Sequence, residues 1–186
     1  MPAMPTFVTM RENPRMTWTA PEVTRPQGSL AAPERELLQG LLDWHRATLL
    51  HKCSGLTGKQ LAERSVPPSG MSLLGLLRHL TDVERIWFRR RFLGEDIPFA
   101  HKQDDNWDAD YQGTDPDRAE ADYAGLLEEW RVCDAAVAGA DLDDTFQAGE
   151  NAASLRFIYI HLIGEYARHN GHADLLRERV DGTVGA

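Results

Sequence analysis

Apolar residues recur every three to four positions along four stretches of the chain, and Gly- and Pro-containing breaks separate them. That spacing is the period of an amphipathic helix. The first stretch runs from Pro33 to Lys52, with Leu38, Leu41, His45 and Leu49 on one face. Pro33 suits a first helical turn, Glu34 and Glu36 suit the positive end of the helix dipole, and Gly55 supplies a stop. The second runs from Ser72 to Leu93; Ser72 is the N-cap, with Ser69 as a competitor, and Gly94 ends it. The third, Pro116 to Gly139, opens on the cap pair Asp115–Pro116 and carries Tyr123, Leu126, Leu127, Trp130 and Val137 as its apolar face. The fourth, Ala152 to Val180, closes at Gly182. No strand pattern stands out between them. Four long helices without strands imply an all-α four-helix bundle, in which metal and ligand sites are built from inward side chains of facing helices.

Two further segments complete the layout. Residues 1–28 hold Pro2, Pro5, Pro14, Pro21 and Pro26, too many for a helix, and are expected to form an extended tail before a single domain over 29–186. Met10 and Met16 leave the start codon open among Met1, Met10 and Met16. The connection from Gly94 to Asp115 is long and acidic and is expected to cross the domain. Asp104, Asp105 and Trp107 within it are candidates for the mouth of a pocket.

The polar residues inside the fourth helix need explaining. With His161 at zero on a helical wheel, Glu165 lies near ~40°, His169 near ~80° and His172 near ~20°. Arg156, Asn170, Asp174 and Arg177 fall on the other side, which reads as solvent, while Ile158, Leu162, Tyr166 and Leu176 flank the His/Glu arc. The arc therefore faces inward. On the second helix, His79 lies among Leu76, Leu80, Val83, Ile86 and Trp87, opposite Arg78, Asp82, Arg85 and Arg89, and also points inward. An inward carboxylate needs a cation, a metal or several donors. Arg168 and Arg85 are cationic partners open to Glu165. A metal shared by His79, Glu165 and His169 is the other solution, and three protein ligands leave open positions of the kind catalytic metals use. His45 reads as core or pocket lining, His51 and His101 as solvated loop residues, and Arg89, Arg90 and Arg91 as a solvated helix end.

Composition narrows the function. The chain has 186 residues, 42% of them apolar, enough for one domain with a core. A formal charge of −9 argues against a nucleic-acid partner, since phosphate binding wants a basic face. No apolar run approaches the length of a membrane span, and no secretory signal pattern opens the chain. Two cysteines, Cys53 and Cys133, imply no disulfide framework and read as small apolar fillers. A cytoplasmic location is expected.

"LLRHLTDVERIWFRRRFLGED" and "GEYARHNGHADLLRERVDG", together with "DWHRATLLHKCSGLT", resemble the DinB/YfiT-like superfamily of four-helix metalloproteins, over Pro33 to Gly182. That superfamily includes mycothiol-dependent maleylpyruvate isomerase and thiol-S-transferases. The resemblance implies metal ligation by His79 and by the pair Glu165 and His169. Many relatives carry a second His where Glu165 stands; the isomerase branch carries Glu. His172 stands where many relatives place Gln, and is an extra ligand or a support for one; His161 is not a ligand position in the pattern. The implied activity is a transferase or isomerase reaction using a low-molecular-weight, mycothiol-like thiol and an electrophile. The implied ion is zinc, with nickel and iron also compatible. His45 and His172 are candidates to orient ligands or carry protons. A non-catalytic metal-bound module and a metal-dependent hydrolase are the alternatives. Either a monomer or a homodimer fits the chain.

Overall fold

The computed structural model describes residues 17–185. Pro2, Pro5, Pro14 and the start-codon choice at Met1, Met10 and Met16 lie outside them. The chain is mostly helical: α1 (Glu34–Cys53), α2 (Gly58–Leu61), α3 (Leu73–Glu84), α4 (Ala109–Gln112), α5 (Ala119–Val137) and α6 (Leu155–Asp181), with one small sheet of β1 (Thr145–Ala148) and β2 (Asn151–Ser154). α3 continues as wide π turns over Arg85–Phe92, and a short 3₁₀ turn, Pro116–Arg118, leads into α5.

The local signals for helix ends hold where they were strongest. The Ser72 side chain accepts from the Gly75 N–H and Asp115 from the Asp117 N–H, each satisfying a donor the helix cannot pair; Ser154, a cap not expected from the sequence, accepts from the Phe157 N–H. Gly55, Gly94 and Gly182 carry positive φ and stop α1, α3 and α6. The hairpin β1–β2 corrects the expectation of no strands: Ala152 to Ser154 are extended, and α6 starts at Leu155. Its two-residue turn uses Gly149 at φ 69°, and the strands are too short to show an alternating pattern. Residues 17–28 form no helix. Thr19 bridges to Thr57, and the Ala20 N–H donates to the Leu56 carbonyl at 2.9 Å.

Side-chain pairs set the helix directions. Glu34 meets Arg156 and Lys52 meets Asp174, so α1 and α6 run parallel. Arg78 meets Asp122 and Arg85 meets Glu129, so α3 with its π extension runs parallel to α5. Glu84 meets Tyr166, five residues after His79 and three before His169, so α3 runs against α6. Between these helices lie Leu42, Leu49, Leu76, Leu80, Leu126, Ile158 and Leu162, all fully buried. Each such side chain contributes about 2 kcal/mol by leaving water.

A polar chain crosses this core. Arg46 of α1 forks onto Glu84 of α3 at 2.8 and 2.7 Å, and also reaches Asp134 of α5 at 2.9 Å. The Tyr166 hydroxyl of α6 donates to Glu84 at 2.9 Å, and the Trp130 indole of α5 donates to Tyr166 at 2.8 Å. One buried ion pair thus ties four helices together.

The wheels need correcting on their supposed solvent sides. Arg78 and Asp82 are buried, because α3 is covered on that side by α5 and by the connection that follows it. Asn170 is buried against α1, donating to the His45 carbonyl at 3.0 Å, and Arg177 is half-buried with its guanidinium on the Lys52 and Ser54 carbonyls. Leu127 is exposed rather than core.

Candidate metal centre

The buried residues of α6 — Leu155, Ile158, Tyr159, Leu162, Tyr166, His169, Asn170, Ala173 and Leu176 — centre near ~110° on the wheel that has His161 at zero. The His/Glu arc therefore straddles one edge of the buried face. His169 falls inside it and is 5% exposed; His161 and Glu165 sit at its margin, half-buried. His79 faces them from α3, its ring centroid 4.7 Å from that of His169. One ligand atom from each of His79, Glu165 and His169 lies within 4.8 Å of the others.

The hydrogen bonds around this group aim its nitrogens. His79 Nδ1 is 2.9 Å from Asp110 Oδ2, which leaves Nε2 for the centre. His169 Nδ1 is 3.3 Å from His172 Nδ1. His169 Nε2 is buried, has no hydrogen-bond partner among the described residues, and lies 3.5 Å from Glu165 Oε2. A buried ring nitrogen without a partner is costly. Burial first, then the neighbouring His79, pushes the His169 pKa down to about 4. The ring is therefore neutral at physiological pH, the form that ligates a metal. Two imidazoles and one carboxylate are a donor set suited to zinc, nickel or iron. The residues present fit a divalent ion.

His172 stands behind His169, against its Nδ1. His161 Nε2 is 3.7 Å from Glu165 Oε1, and its ring packs between Trp87 and Phe157 at 4.4 and 5.7 Å. Burial lowers the His161 pKa. Glu165 also pairs with Arg168, which is mostly exposed, so the arginine alternative is present beside the triad; Arg85 instead pairs with Glu129 at 2.5 Å. His45 is not in this group. It lines an open apolar cleft with Leu37, Leu41 and Trp44, and its Nδ1 is 3.4 Å from the Asn170 amide nitrogen.

The connection before α5 differs from expectation. Asp104, Asp105 and Trp107 are exposed; Trp107 pairs with Phe99, and Asp104 shares a separate cleft with Arg90 and Phe99. The residues that reach the site are Asp110 and Tyr111 on α4, Tyr111 stacking on the His79 ring at 5.0 Å. No sequence pattern singled them out. His101 is half-buried, not solvated, and its pKa is lowered by burial and by Arg78. The arginine run is also partly enclosed: Arg89 pairs with Glu95 and Glu129, and Arg90 lies over Phe99 at 3.9 Å. Arg91, over Trp87 at 4.2 Å, is the exposed one.

The family profile for mycothiol-S-transferase matches residues 37–182, from the first turn of α1 to the stop of α6. The chain belongs to the mycothiol-S-transferase family. This accords with the DinB/YfiT-like resemblance of the α3 and α6 motifs. A comparison with curated proteins gave no match. Within the matched span of this family member lie His79, Glu165, His169, Asp110 and Tyr111. Among the described residues no helix is long and apolar enough to cross a membrane.

Proposed function

We propose that this protein is a metal-dependent thiol S-transferase that joins a low-molecular-weight thiol of the mycothiol type to an electrophile, on a DinB-type four-helix bundle spanning residues 29–186. The observation that carries the reading is the buried, unpartnered Nε2 of His169, facing Glu165 and His79. His79, Glu165 and His169 hold a divalent ion, zinc being well suited to the set, with nickel and iron as fitting substitutes. When bound, the ion supplies the Lewis acidity that keeps a thiol ionised near neutral pH.

The chain's own residues do the rest. Glu165 sets the charge of the centre and takes the edge nearest His161. The S–H proton leaves as the thiol ionises. The sulfur electron pair then forms the new S–C bond while the electrophile's carbon gives up the pair of the bond it breaks, to a leaving group or, in an addition, to the adjoining atom. His161 Nε2, 3.7 Å from Glu165 Oε1 and kept neutral by burial, receives that proton. Tyr111 and Trp87 wall the site on two sides and keep water from the reacting sulfur. Cys53 and Cys133 are buried away from it, so the reacting sulfur comes with the substrate. A cytoplasmic location, where such thiols are kept reduced, fits this role, as monomer or homodimer.

The test combines metal content and turnover. Zinc-loaded protein, with His79→Ala and His169→Ala beside it, is assayed by elemental analysis and then with a thiol panel and a reporter electrophile. Stoichiometric metal in the wild type only, and electrophile loss only with thiol and metal together, support the reading. Absence of stoichiometric metal in the wild type after zinc or nickel addition overturns it. Metal without turnover across all thiols would leave a non-catalytic binding module.

A further inference from the structure

Asp110 is a fully buried carboxylate 31 residues away from His79 in sequence. It lies on α4, in the acidic connection between α3 and α5. Its Oδ2 meets His79 Nδ1 at 2.9 Å and Lys102 Nζ at 2.6 Å, and its Oδ1 accepts from the Tyr111 N–H at 3.0 Å. A carboxylate this enclosed needs compensation, and Lys102, nearly buried itself, supplies it.

The connection is held so as to keep these atoms there. Asp82 on α3, fully buried, accepts the backbone N–H groups of Ala100, His101 and Lys102 at 2.6, 2.9 and 2.7 Å, which fixes where Lys102 starts. Arg78 on the same helix donates to the Asp110 carbonyl at 2.9 Å and pairs with Asp122 at 3.1 Å. Two glycines let α4 approach: a Cβ on Gly75 would meet the Tyr111 ring at 3.1 Å, and one on Gly113 would meet Arg78 at 3.0 Å. The charged side of α3 thus anchors the connection, and the anchored connection delivers one carboxylate to one histidine.

A ligating imidazole must present a lone pair at one nitrogen, and a hydrogen bond at the other decides which. We propose that Asp110 is the positioning residue of the metal centre: it accepts the Nδ1–H of His79 and so holds that ring in the tautomer whose Nε2 lone pair faces Glu165 and His169. The proposal rests on the metal role of the triad for its consequence, but the tautomer itself exists without metal.

The test uses the full chain as wild type, Asp110→Asn and Asp110→Ala. Zinc affinity is measured by competition with a chelator. The His79 tautomer is read in zinc-free protein by long-range proton–nitrogen NMR at about pH 8, where an imidazole is neutral. The wild type is expected to carry its proton on Nδ1; Asp110→Ala shifts it towards Nε2, and zinc affinity falls about 10- to 100-fold. Asp110→Asn keeps the shape of the site and loses at least about tenfold; it carries the affinity test if the alanine variant does not fold. Folded variants with wild-type zinc affinity and an unchanged His79 tautomer would show that Asp110 only anchors the loop, and would overturn the proposal. A wild type that binds no zinc sinks the proposed function instead, while the NMR measurement still decides whether Asp110 sets the ring.

Discussion

In metal-free protein His169 makes stability depend on pH in a window that the structure sets. Its ring is buried beside His79, which holds its pKa at about 4 in the folded chain against 6.5 for a free histidine. From about a unit above pH 6.5 upwards the ring is neutral in both states and contributes no slope. Between 6.5 and 4 the unfolded chain binds a proton that the folded chain refuses, so stability falls as pH falls. Below about 4 both states are protonated and the loss is complete. The full shift corresponds to a ceiling of about 3 kcal/mol, and solvent reaching the open side of the site lowers the expected loss to about 1–2 kcal/mol. His45, His101 and His161 are shifted in the same direction, so the wild-type slope alone does not isolate His169. The assay is therefore urea unfolding with chelator present, at several pH values from 7.5 to 4, for wild type and His169→Gln. The difference between the two curves should level off towards pH 7.5 and change by about 1–2 kcal/mol as the pH falls through 6.5 to 4. Parallel curves through the whole range would mean that His169 is solvated, and the unpartnered nitrogen on which the site rests would not exist. Saturating zinc should stabilise the wild type more than the variant, because ligands that bind only the folded state add to its stability.

Two other outcomes probe the frame around the site. Arg46→Met leaves Glu84 buried with only Tyr166 for support, and should lower the unfolding free energy by about 3–5 kcal/mol in urea titrations. Adding Glu84→Met should recover most of that loss; simple addition of two losses would show that the pair does not act as one unit. Burial pushes the Cys53 thiol up to about 12 and raises Cys133 as well. Neither should react with a disulfide reagent at pH 8 until denaturant is added, and fast labelling of the native protein would show that the α1 or α5 side of the core opens.

Much of the layout was legible along the chain because it is written in local chemistry. Ser72, Asp115, Gly94 and Gly182 mark helix ends through bonds to residues within a turn, so neighbouring residues suffice to place them. The apolar period located all four long helices and put His169 and His79 on inward faces. Picking His79, Glu165 and His169 out of seven histidines and many carboxylates needed the family likeness as well, since the wheel left His161 and His172 on the same arc. Only the folded chain decided what lies behind the triad. Asp108, Asp110 and their acidic neighbours look alike in "HKQDDNWDAD", and Asp110 acquires its role only when Arg78 and Asp82 pin the connection over α3. Arg78 and Asp82 read as surface charges for the same reason, and nothing along the chain pointed to the pairing of Arg46 with Glu84. A wheel assigns polar residues to water, but here each finds its counter-charge or its backbone donors on a segment far away in sequence. Helical period and caps act within a few residues and belong to the sequence. Pairing of buried charges is non-local, and belongs to the way α1, α3, α5, α6 and the connection close on one another.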